Sequence, residues 1–157
     1  MSYPQQQPAF SPATGETPLW APLYGASFQQ AVQRFFKKYT TFSGRASRSE
    51  YWWWALVSFA VSIVINVLTS TGMTTAASGA TALGPGAVVG LILGVIWVLA
   101  TIVPSLALLA RRLHDVNLSA WLILVVLVPF LGGLALLVMT ILPTNPAGQR
   151  FDQPSGY

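Results

Sequence analysis

The sequence contains no cysteine, which excludes disulfides, thiolate nucleophiles and thiolate metal ligands and leaves the redox compartment open. Charge is nearly as scarce: 8% of the residues are charged, against about 25% in an ordinary soluble domain. So little charge cannot cover a water-facing surface. The first fifteen residues hold neither Lys nor Arg nor an apolar stretch, so no cleaved signal peptide is expected and the first span should serve as its own insertion signal.

What is present is apolar. Of the 157 residues, 54% are hydrophobic and the mean hydropathy is +0.59, values that point to lipid as the solvent. A net charge of +4 and a pI near 9.9 would suit nucleic acid, but nearly every Lys and Arg flanks an apolar run. That placement reads as contact with anionic headgroups, with no nucleic-acid partner.

Residues 1–24 are rich in Pro and Gln without a hydrophobic period and read as a disordered leader, with a Pro-rich docking peptide as the alternative. Over residues 27–39, Phe28, Ala31, Val32, Phe35, Phe36 and Tyr39 recur at helical spacing against Gln29, Gln30, Gln33, Arg34, Lys37 and Lys38. This pattern predicts an amphipathic helix in the membrane interface, capped by Ser27; a soluble helix packed on a core is the alternative.

Three hydrophobic spans are predicted over 51–71, 87–110 and 120–142. Ser47-Arg48-Ser49-Glu50 forms a capping box ahead of the first, and Tyr51, Trp52, Trp53 and Trp54 form an aromatic belt at headgroup depth. The uncharged stretch after the first span reads as a short flexible loop. Pro104 should bend the second span. RRLHDVNLS reads as the next loop, with Asn117 or Ser119 as a cap. Pro129, Gly132 and Gly133 interrupt the third span, which is a kinked crossing or, alternatively, a re-entrant hairpin; the crossing is the expectation carried forward. The fold class is therefore an all-α integral membrane bundle of three transmembrane helices, with the 27–39 helix lying at its interface. Residues 25–157 form the membrane domain.

Three crossings put seven of the eight Lys and Arg on one side and Arg150 on the other, which predicts a cytoplasmic N-terminus in the plasma membrane. Ser58, Ser62, Asn66 and Thr69 line one face of the first span, and Gly86, Gly90 and Gly94 give two GxxxG steps in the second. These faces read as helix packing, within the chain or with another copy or a membrane partner. A polar conduit is the alternative, although no ionisable residue lies inside a span.

The topology brings Arg45, Arg48 and Glu50 to the same surface as Arg111, Arg112, His114 and Asp115. The bland reading is a structural ion-pair network, Glu50 with Arg111 or Arg112 and Asp115 with Arg45 or Arg48. The functional reading is recognition of an anionic group such as a lipid phosphate, because four guanidinium groups exceed two carboxylates. One His and one Asp are too few for a metal or hydrolytic site, so no catalytic residue, metal or cofactor is expected.

Phe42-Ser43-Gly44-Arg45-Ala46-Ser47-Arg48-Ser49-Glu50-Tyr51-Trp52, then Arg111-Arg112-Leu113-His114-Asp115 with Ser119 and Trp121, then Pro129-Phe130 with Gly132, together resemble the bacterial inner-membrane family called domain of unknown function 805. Its GR-x-x-R-x-E-[YF]-W element falls on Gly44, Arg45, Arg48, Glu50, Tyr51 and Trp52, and its R-R-L-H-D element on Arg111 to Asp115. The family's usual ending, Asn-Arg-Phe-Gly, stands here as Gln149-Arg150-Phe151-Asp152. The resemblance implies a membrane location and a compact helical fold, and it implies no activity. The expected function is a non-enzymatic membrane protein whose charged cluster organises the bundle and holds anionic lipid or a partner. A small transporter or channel subunit, and an enzyme acting on lipid headgroups through His114 and Asp115, are the alternatives.

Overall fold

A computed structural model describes residues 17–152. The chain is mostly helical: α1 (Phe28–Lys37), α2 (Arg48–Thr71), strands β1 (Met73–Thr75) and β2 (Thr81–Leu83), α3 (Pro85–Asp115), a 3-10 segment (Ala120–Leu127), α4 (Leu131–Ile141) and a last 3-10 turn (Pro146–Phe151). Helix α2 starts where local chemistry dictates, since the Glu50 amide donates to Ser47 Oγ at 3.2 Å and the Ser47 amide to the Glu50 carboxylate at 2.9 Å. Ser27 and Gln30 form the same reciprocal cap on α1.

Helices α2 and α3 have 24 and 31 residues, about 36 and 46 Å at 1.5 Å per residue, and both are long and apolar enough to cross a membrane. Only 6% of the apolar window of α2 and 17% of that of α3 is buried, so neither is the core of a soluble fold. The two antiparallel helices meet closely at their far end. A Cβ on Gly72 would lie 1.9 Å from the Ala87 amide nitrogen, and one on Gly90 would lie 2.4 Å from Thr69 Oγ1. The connection between them is a small antiparallel ribbon, with Met73 opposite Leu83 and Thr75 opposite Thr81, where a flexible loop was expected.

Several expectations need correction. The segment RRLHD is not a loop: α3 continues through it to Asp115 and stops before Asn117, whose φ is +63°. The apolar stretch 120–142 is not one helix. Its 3-10 segment turns at Pro129–Phe130, where Phe130 has a φ of +61°, and α4 runs back. A Cβ on Gly132 would fall 1.9 Å from the Val125 carbonyl oxygen, so only glycine lets the two arms close. Both arms end at the base of α3: the Asn145 amide donates to the Asp115 carbonyl at 2.9 Å, and the Arg112 guanidinium donates to the Thr140 carbonyl at 3.0 Å and to that of Leu142. The expected single crossing over 120–142 is thus a hairpin in the structure.

The leader was expected to be disordered through Tyr24. Residues 17–24 instead pack against α1, α2 and the end of α3, because Arg34 donates to the carbonyls of Thr17 and Pro18 at 3.1 and 3.2 Å and to that of Ala21, and Leu23 and Tyr24 bond Glu50 and Asp115 respectively. Residues 1–16 of that reading lie outside the described residues.

Candidate functional site

The basic end of the bundle is where every described acidic side chain lies, and three elements are stitched together there. Glu50, in the first turn of α2 and 3% exposed, accepts from Arg34 Nε at 2.5 Å and from the Leu23 amide at 3.3 Å, in addition to its cap bond. Lys38 Nζ stands 4.0 Å away. Arg34 shares the buried stripe of α1 with Ala31 and Phe35, and Lys38, which caps the helix, is buried on the same side, while Phe28 and Phe36 are exposed. The polarity pattern had put Arg34 and Lys38 on the outer face. The Glu50 carboxylate reverses this, because it offers a buried partner that the sequence of α1 alone does not contain. Burial, first of all, drives the Lys38 amine down to about 7, against the raising influence of Glu50 and with a further lowering from Arg34 and Arg111.

The second carboxylate, Asp115, is fully buried. It accepts from Arg112 Nη1, from Thr144 Oγ1 at 2.8 Å and from Tyr24 Oη at 3.1 Å, and Arg45 Nη1 lies 3.8 Å away. Arg45 also grips Asp152 with two parallel bonds of 2.9 and 2.7 Å. Burial lowers the Arg45 guanidinium, but the Asp152 hydrogen bond and charge outweigh it and the net shift is upward. Burial raises the Tyr24 phenol, and the neighbouring Asp115 charge adds to the rise. Arg48 is exposed and donates to the Leu142 carbonyl at 3.0 Å.

The structure therefore gathers Arg45, Arg48, Glu50, Arg111, Arg112, His114 and Asp115 at one junction but pairs them differently from the expectation. Glu50 takes Arg34 and Lys38, and Arg112 goes to Asp115, with Arg45 second. Among the described residues the Arg111 side chain, 1% exposed, bonds only the Ala107 carbonyl of its own helix. The His114 ring sits with Nδ1 3.1 Å from the Gly44 carbonyl oxygen and stacks on Phe151 at 4.1 Å and 5°. The Asp115 carboxylate is engaged by other groups, so the two do not form an acid–base pair. Among the described residues no three His, Asp or Glu side chains come together as a metal site.

Sequence reasoning missed Tyr24, Arg34, Lys38, Thr144, Phe151 and Asp152. The one available signal was the arithmetic of the cluster itself, since four guanidinium groups beside two carboxylates leave room for a further acid such as Asp152.

The aromatic belt divides. Trp54 is buried, stacked on Phe35 at 3.4 Å between centroids and on Trp97 at 6.0 Å, while Trp52 and Trp53 are exposed. Next to this core the Tyr39 hydroxyl donates to the Ala100 carbonyl at 2.8 Å. Pro104, having no N–H, leaves that carbonyl without its helical partner, so the phenol repairs the ladder and pins α1 to α3.

Along the spans, Ser58 is half-buried and Ser62 and Asn66 are exposed, with Asn66 Nδ2 bonded at 2.8 Å to the Ser62 carbonyl of its own helix. Gly86, Gly90 and Gly94 face Gly72, Thr69 and Ile65 of the preceding span and loop, so the glycine stripe packs within the chain.

Two long, outward-facing apolar helices gathered at one charged junction define a helical membrane protein. The chain belongs to the family described as "Protein of unknown function (DUF805)", which matches residues 39–153. It is 39% identical over 118 residues to the inner membrane protein YhaI of Escherichia coli K12, covering 73% of this chain and 86% of that one. Against the inner membrane protein YhaH of the same strain it is 34% identical over 119 residues, covering 75% and 89%. No solved structure matches it.

Proposed function

We propose that the chain is a non-enzymatic inner-membrane protein whose charged junction clamps the interfacial helix and a re-entrant hairpin to two membrane spans and turns a cationic face to anionic headgroups or a partner at the cytoplasmic surface. The observation that carries this reading is the return of α4 to Arg112 and Asp115. With that return, Arg150 joins the other seven Lys and Arg at one end, while residues 72–84 at the other end carry no charge, and such a bias favours a cytoplasmic junction.

The hairpin arms, of eight and eleven residues, are each too short to cross about 30 Å of hydrocarbon, and Phe130 at the tip is 96% exposed, which suits a wedge in one leaflet. Outward-facing Phe28 and Phe36 suit α1 lying in the interface. Arg45→Ala/Arg112→Ala should lower the melting temperature in detergent and strip co-purifying anionic lipid. Unchanged melting together with unchanged lipid content would contradict the proposal.

A further inference from the structure

Two cationic donors at the junction, Lys38 Nζ and Arg111 Nη2, are buried without a hydrogen-bond partner among the described residues. The residues are 3% and 1% exposed, so bulk solvent does not reach them. No described carboxylate is free to satisfy them. Glu50 already serves Arg34, two backbone amides and, distantly, Lys38; Asp115 serves Arg112, Thr144 and Tyr24; Asp152 is held by both arms of the Arg45 fork. Two cations, Arg34 and Lys38, therefore share one carboxylate whose charge also bears on Arg111, and Arg34 and Arg111 both bear electrostatically on Lys38. Buried charge without a counter-charge is strongly unfavourable, and the ammonium responds by titrating near neutrality. An anion would relieve both donors at once.

We propose that Lys38 and Arg111 form a site for a phosphate-bearing anion, a phospholipid headgroup or a free phosphate, beside Glu50 where α1 meets the basic end of α3. This deepens the headgroup-facing reading of the junction and rests on it. Phosphate fits the donors because its tetrahedral oxygens accept from a point-charge ammonium and from one edge of a guanidinium together. The site lies level with the Ser47 cap and the tryptophans that open α2, the depth at which headgroup phosphate is most concentrated. The exposed turn 39–43 follows Lys38 directly, and its long stem lets the ammonium meet an anion arriving there.

The test is thermal unfolding of the full chain, delipidated in neutral detergent, titrated with phosphatidylglycerol in mixed micelles or with inorganic phosphate, each against chloride at matched ionic strength. Wild type should be stabilised beyond the chloride baseline, and in Lys38→Met the half-saturating concentration should rise at least about 10-fold, a decade being about 1.4 kcal/mol. Stabilisation by the lipid alone identifies a headgroup site; stabilisation by inorganic phosphate as well identifies a free-phosphate site. No shift from either source, or the same titration in Lys38→Met, overturns the proposal. Lys38→Met removes a buried cation that makes no hydrogen bond and only a 4.0 Å contact with Glu50, so it should fold at least as well as wild type, and it leaves the Arg112–Asp115–Arg45 clamp intact. A failure here is therefore distinct from a failure of the clamp.

Discussion

Replacing Asp115 with Asn keeps the shape of the side chain and removes its charge. In the wild type one carboxylate oxygen takes Arg112 Nη1 and Thr144 Oγ1 while the other takes Tyr24 Oη with Arg45 Nη1 at 3.8 Å. An amide supplies one oxygen only, so its NH2 must confront either Arg112 and Thr144 or Tyr24 and Arg45, and in either orientation the fully buried Arg112 loses its counter-charge. Breaking a buried pair in this way costs about 3–5 kcal/mol. Thr144→Val, which removes one hydroxyl donor from the same carboxylate, should cost only about 1 kcal/mol. Equilibrium unfolding in mixed micelles would give both values, and hydrogen exchange at the Asn145 amide, bonded to the Asp115 carbonyl at 2.9 Å, would report release of the hairpin. Asp115→Asn within about 0.5 kcal/mol of wild type, the range of an ordinary surface substitution, with Asn145 still protected, would refute the clamp.

Tyr39→Phe should cost about 0.5–1.5 kcal/mol, and that cost should vanish in a Pro104→Ala background, where the new amide serves the Ala100 carbonyl; a double-mutant cycle measures the coupling. Gly90→Ala should destabilise by about 1–3 kcal/mol, since its Cβ would meet Thr69 Oγ1 at 2.4 Å, whereas at Gly133 nothing lies within 4 Å and Ala should be neutral or up to about 1 kcal/mol stabilising; paired unfolding curves decide it. Lys38 supplies a pH dependence: its folded value of about 7 lies below the ordinary 10.5, so the unfolded chain binds more protons between them and stability should rise with pH across that window. The slope from this group is about 1.4 kcal/mol per pH unit. Lys38→Met should abolish it, and unfolding measured from pH 7 to 9.5 gives the comparison.

Local chemistry was legible. The Ser47–Glu50 box, the cap at Ser27 and the two long apolar runs each rest on residues within a few positions, and they begin α1 and α2 and carry α3 as the spacing suggests. What could not be read depended on distant partners. Arg34 looks like a solvated residue until Glu50, sixteen positions on, is brought beside it, and periodicity sorts side chains by polarity without knowing which polar group has a buried acceptor. The third segment shows the same limit. Pro129, Gly132 and Gly133 permit either a kink or a reversal, and the choice falls to contacts between Arg112 and the Thr140 and Leu142 carbonyls some thirty positions away. Asp152, where the family pattern has glycine, gains its role only through Arg45, 107 positions earlier.

The absence of native cysteine permits the most direct test, single-cysteine labelling of intact spheroplasts with a membrane-impermeant maleimide at Gln29→Cys, Ser78→Cys and Gln149→Cys, all exposed positions. With a re-entrant hairpin and a cytoplasmic junction, Ser78→Cys reacts from outside while Gln29→Cys and Gln149→Cys react only after the membrane is opened. Labelling of Gln149→Cys in intact spheroplasts, alongside Ser78→Cys and without Gln29→Cys, would mean that the third segment crosses, contradicting the hairpin and the single charged face built on it.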